Sequence, residues 1–64
     1  MSNGTVLVNK EDLTFAAVEE SLFGYKLIIN TLDENGNLNE YKTIPMTEGL
    51  IMKDWRYATN DEIA

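Results

Sequence analysis

The stretch Asp33-Glu34-Asn35-Gly36-Asn37, with four turn formers in five residues, constrains the fold of this chain more than any other. It separates two runs with strand composition, Tyr25 to Leu32 and Leu38 to Ile44. An Asn-Gly step tolerates the positive φ that tight hairpin connections require. Two registers compete. A two-residue Asn35-Gly36 turn sets Asp33 opposite Leu38, whereas a three-residue loop with Gly36 as the bulge pairs Leu32 with Leu38 and Ile29 with Tyr41. The second matches apolar with apolar, and a slip of one residue would turn every side chain to the other face. It is the register expected here.

The remaining elements are read around that hairpin. Thr5-Val6-Leu7-Val8 is a short β-rich run that Asn9-Lys10-Glu11-Asp12 closes, and it is expected to be the first strand. From Leu13 to Leu22 the spacing of Phe15, Val18 and Leu22 is helical. Thr14 or Asp12 would cap that helix, and Gly24 would stop it. A rival reading of Thr14 to Glu20 is an extended strand, because Phe15, Ala17 and Glu19 also alternate. The helix is preferred.

Pro45 ends the hairpin's second strand, since it has no ladder donor. Leu50 to Ala58 is expected to be the last strand, with Ile51, Lys53, Trp55 and Tyr57 alternating on one face. A helix started by Thr47, with Met46 and Ile51 as its staple, is the competitor, and Gly49 in its first turn weighs against it. Thr59-Asn60-Asp61-Glu62 has capping-box spacing but room for a single ragged turn. These elements predict one small α+β domain over residues 1–64, an antiparallel sheet of three to four strands packed by one helix. Its expected core is Leu7, Phe15, Val18, Leu22, Leu27, Ile29, Ile51 and Trp55.

A chain of this size stabilises itself narrowly. At about 60 residues only about 60% of the unfolded surface is buried on folding. Apolar residues make up 44% of the sequence and no cysteine is present, so the core works without a staple. Self-association is one answer to that shortage, so a homodimer is among the expected states.

The same poverty limits chemistry. Without histidine or cysteine, the chain lacks the usual general base, the usual soft metal ligands and the best nucleophile. Ser2 and Ser21 have no imidazole to activate them, and Lys26, Lys42 and Lys53 sit in strand patterns as ordinary outward lysines. The adjacent carboxylates Glu11-Asp12, Glu19-Glu20, Asp33-Glu34 and Asp61-Glu62 diverge instead of converging on a substrate. Asp33, Asn35, Asn37 and Asn39 mimic the start of a calcium loop, but its closing glutamate would fall on Ile44. Glycines 4, 24, 36 and 49 are too dispersed for a phosphate loop. The expectation is a non-enzyme with no cofactor and no metal.

Eleven acidic against 5 basic residues, a net charge of −6, disfavours phosphate backbones and anionic membrane surfaces and favours a protein partner with a basic surface. No apolar run approaches a membrane span, and no basic and apolar leader opens the chain, so a cytoplasmic location is expected. Aromatic and arginine side chains carry most interface energy. Tyr41, Trp55, Arg56 and Tyr57 are therefore the candidate partner-binding residues, with Glu40 and Asp54 as their charged neighbours.

The segment Trp55-Arg56-Tyr57-Ala58-Thr59-Asn60-Asp61-Glu62-Ile63 resembles the tails of many small proteins of tailed bacteriophages, in which an aromatic strand runs into an Ala-Thr-x-x-Glu-Ile cap. The resemblance spans these nine positions and implies a viral binding protein that inhibits a host enzyme or defence protein. It transfers no residue-level role. A self-assembling accessory subunit and an acidic nucleic-acid mimic are the competing expectations.

Overall fold

The computed structural model describes residues 1–63 and is dominated by one antiparallel sheet of five strands. In chain order the elements are β1 (Val6–Asn9), β2 (Phe15–Ser21), β3 (Gly24–Leu32), β4 (Leu38–Lys42), α1 (Glu48–Asp54), β5 (Trp55–Tyr57) and α2 (Asn60–Ile63). The spatial order is β4-β3-β2-β1-β5. A small α+β domain describes it in the broad sense, but with more strands than expected and a minor helical layer.

The central hairpin adopts the expected register, with Leu32 opposite Leu38 and Ile29 opposite Tyr41. Gly36 has φ +80°, and the Asp33 carboxylate accepts the N–H groups of Asn35 and Asn37 at 2.9 and 2.8 Å. That carboxylate holds a turn, which is the use an Asx side chain has in such loops.

Between residues 13 and 22 the chain forms the strand β2 (Phe15–Ser21), not the preferred helix. Asp12 and Thr14 have the chemistry of helix caps but spend it on the β1–β2 turn. Asp12 accepts the Thr14 N–H at 2.9 Å and the Thr14 hydroxyl, and Asn9 Oδ1 accepts the Glu11 N–H at 2.9 Å. Leu13 has φ +62°, which a helix cannot continue through. With that turn in place, Ala16 and Val18 point inward, and the expected core residues Phe15 and Leu22 do not. Phe15 lies on the opposite face, and Leu22 is 96% exposed at the tip of the β2–β3 turn.

The second correction concerns the strand expected over Leu50 to Ala58: only Trp55–Tyr57 of it is strand, as β5, and the chain before it is α1. Thr47 caps it, its hydroxyl accepting the Leu50 N–H at 3.3 Å. Gly49 falls in an exposed first turn with open space around it, where its low helix propensity costs little. Lys10 Nζ donates to the Met52 carbonyl at 2.8 Å, a favourable place for a cation at a helix C-terminus.

α1 touches the sheet chiefly through Ile51. That side chain completes one buried cluster with Leu7, Ala16, Val18, Leu27, Ile29 and Trp55. Val8 is also buried but stands outside this cluster. The capping box at Thr59 forms as its spacing predicts: the Thr59 N–H donates to Glu62 Oε1 at 2.9 Å and the Glu62 N–H to Thr59 Oγ1 at 3.3 Å. Among the described residues no helix is long and apolar enough to cross a membrane.

Candidate interaction surface

Strand side chains alternate between faces, so the register divides this surface into two sides. Tyr41, Ile29, Ala16, Leu7 and Tyr57 form one cross-strand row on the side that α1 covers. The two tyrosines sit at its ends, each 52% exposed, on opposite edges of the sheet. Four strand spacings separate them, about 19 Å. Tyr57 Oη donates to Glu48 Oε1 at 3.4 Å at the start of α1.

Trp55 is only 9% exposed, so its ring belongs to the core. Arg56, its neighbour, turns to the other side and grips Glu62 in a two-pronged ion pair at 2.8 and 2.9 Å. Charge-assisted bonds of this fork geometry favour the ionised acid. Glu62 is accordingly lowered from its ordinary 4.5 to about 2, first by Arg56 and then by the Thr59 N–H.

Glu40 is exposed on β4, opposite Asn30, on the same side as Arg56. Asp54 ends α1, and its carbonyl accepts the Lys10 N–H at 2.8 Å. The six candidate residues therefore do not form one patch. Tyr41, Trp55 and Tyr57 share the helical face, Glu40 and Arg56 the other, and Asp54 borders a polar recess with Asn9, Lys10 and Lys53.

The second face has a different character. Val6, Ala17 and Ile28 lie side by side in one half-buried row across three strands. Beside them Val6, Thr14, Phe15, Ala17 and Asn30 line a shallow depression of about 460 Å³. Leu32 and Leu38 extend the apolar surface toward the β4 edge as an exposed cross-strand pair. Ion pairs mark its borders, Lys42 with Glu19 at 3.1 Å and Arg56 with Glu62. An apolar centre with a polar rim is the anatomy of a contact surface.

Attention to aromatic residues alone passes over this face. The alternation of Phe15, Ala17 and Glu19 carries its signal, but only under the strand reading of residues 14–20. The hydroxyls nearby are committed to structure: Ser21 Oγ donates to the Gly24 carbonyl at 2.9 Å, and Thr14 donates to Asp12. Among the described residues, no three acidic side chains converge on a point that could hold a metal ion.

No family model, curated protein or solved structure matches this chain.

Proposed function

We propose that the chain is a non-enzymatic protein-binding module that meets its partner through the face opposite α1. In this reading it is a phage-encoded inhibitor of a host enzyme or defence protein, acting in the host cytoplasm and without touching nucleic acid. The observation that carries the binding role is the half-buried row of Val6, Ala17 and Ile28, bordered by Phe15, Leu32 and Leu38, on the side away from α1. Apolar area left in water is a driving force for association, at about 25 cal/mol for each Å² later covered. The surplus of acidic residues supports a basic partner by speeding encounter. The inhibitor role rests on the resemblance of residues 55–63 to phage tails.

Capture from a bacterial lysate tests the reading when it is run with two baits. The wild-type chain is expected to retain one protein in stoichiometric amount. Ala17→Arg is expected to lose it while keeping the circular dichroism of the wild type, since Ala17 is not in the core cluster. A retained protein indifferent to Ala17→Arg, or no specific protein at all, contradicts the proposal.

A further inference from the structure

A different surface, the free edge of β4, carries an inference of its own. Every residue of β4 is exposed, and among the described residues no strand lies beyond it. An open edge presents unpaired backbone donors and acceptors, which makes it a template for another strand.

Which groups face outward follows from the ladder. The Thr43 N–H donates to the Leu27 carbonyl at 3.0 Å, and the Asp33 N–H to the Asn37 carbonyl at 3.0 Å. Odd-numbered residues of this segment therefore bond inward to β3 as far as Thr43, and Leu38, Glu40 and Lys42 direct their backbone groups outward. Beyond Thr43 the register slips by one, since Met46 bonds inward to Tyr25. The usable edge is bounded by the turn at Asn37 and by Pro45, which has no N–H to offer.

Between those limits the sequence is Leu38-Asn39-Glu40-Tyr41-Lys42-Thr43-Ile44, a self-complementary order. Folded about a twofold axis at Tyr41, an antiparallel pair sets Leu38 opposite Ile44, Asn39 opposite Thr43 and Glu40 opposite Lys42. Acid meets base twice and apolar meets apolar twice. The outward-facing Glu40 and Lys42 coincide with hydrogen-bonded pairs of the new ladder, about four backbone bonds in all. An axis at Glu40 would oppose two carboxylates, and an axis at Lys42 two ammonium groups, each an unfavourable cross-strand pair. A shift by one residue would place outward groups against inward ones.

We propose that β4 pairs with β4 of a second copy, in the register centred on Tyr41, to join the two sheets into one. Lys42 then lies between Glu19 of its own chain, at 3.1 Å, and Glu40 of the partner copy. Tyr41 meets its symmetry mate across a non-hydrogen-bonded position, the closer of the two antiparallel spacings at about 4.5 Å between Cα atoms. The interface is small, so association belongs in the range on the order of 0.1–1 mM. The open-face proposal rests on a different observation, the row of Val6, Ala17 and Ile28, although Leu38 borders both surfaces.

Sedimentation of the purified chain over that concentration range is the test, together with charge variants. The wild type is expected to approach the mass of a dimer. Glu40→Lys alone and Lys42→Glu alone each place like charges opposite one another, and each weakens association by about tenfold. Mixed in equal amounts, these two variants restore both acid–base pairs and are expected to form a heterodimer as well as the wild type does.

Tyr41→Cys adds a readout of register. The two Cα atoms there fall within the bridging range of about 4.4–6.8 Å, and the thiols should oxidise to a covalent dimer in a chain with no other cysteine. Leu22→Cys, at the remote β2–β3 tip, should not be enriched in such a dimer. A single-chain mass at the highest concentration, or a mixture that fails to associate, overturns the proposal. So does a dimer that Tyr41→Cys does not trap.

Discussion

The two faces of the sheet are built from the same strands yet do different work. On the helical face Leu7, Ala16, Val18, Leu27 and Ile29 close over Ile51 and leave almost no accessible surface. On the other, Val6, Ala17 and Ile28 are only half covered, and Leu32 and Leu38 stand in solvent. Residue type does not separate them, since both are made of aliphatic side chains. The separation comes from where a single turn of chain, Thr47 to Ile51, sets its one buried residue. α1, the longer of the two short helices among the described residues, closes over one face, which supplies most of the core. On the other face Val8, beside the Arg56–Glu62 pair, is fully buried, and the row of Val6, Ala17 and Ile28 is left half covered.

The largest effect expected from this contrast uses two leucines of β3. Leu27 is 0% exposed and Leu32 is 71% exposed, on opposite faces. Leu27→Ala removes buried volume and should cost about 3 kcal/mol in chemical denaturation. Leu32→Ala should stay within about 0.5 kcal/mol of the wild type. Equal losses would break the contrast.

Gly24→Ala should come next, at about 2 kcal/mol. Gly24 has φ +129°, and a Cβ there would approach the Met46 carbonyl oxygen to 2.6 Å. Met46 and Tyr25 exchange backbone hydrogen bonds at 2.8 Å, the contact that delivers the chain to the start of α1. The variant therefore injures the helical face while leaving the open face intact. A neutral result by thermal melting would mean that this close approach does not position α1.

The smallest effect belongs to the open side. The folded-state pKa of Glu62 is depressed, so its ion pair stabilises above the ordinary carboxylate value of 4.5 and that contribution fades as pH falls toward about 2. A carbon-13 titration of the Glu62 carboxyl should show this low midpoint, and Glu62→Gln should abolish the dependence for α2 alone. Global unfolding in step with the Glu62 titration would contradict so local a role.

Much of the hairpin was legible, because turn chemistry and apolar pairing agree there. The Leu32–Leu38 register followed from both, and the Thr59–Glu62 box from spacing alone. Leu7, Val18, Leu27, Ile29, Ile51 and Trp55 are buried as expected, whatever element each belongs to, because large aliphatic and aromatic residues leave water in any fold. Residues 13–22 misled for a physical reason. Phe15, Val18 and Leu22 keep helical spacing while Ala16 and Val18 keep strand spacing, and the two alanines tilt local propensity further toward the helix.

What decided between these readings was the tertiary use of Asn9, Asp12 and Thr14 in a turn. α1 was obscured by Gly49, whose cost is small at an exposed first turn. The candidate site was the least legible part. Trp55, Arg56 and Tyr57 are adjacent in sequence, but a strand throws them to alternate sides, and the apolar row of Val6, Ala17 and Ile28 exists only once the ladder is formed.

The claim that the uncovered face is the recognition surface is tested most directly by methyl and amide NMR of the labelled chain bound to its captured partner. The account predicts that perturbed signals cluster on Val6, Ala17, Ile28 and Leu32. Perturbation confined to Leu50, Met52 and Tyr57, on the helical side, would contradict it.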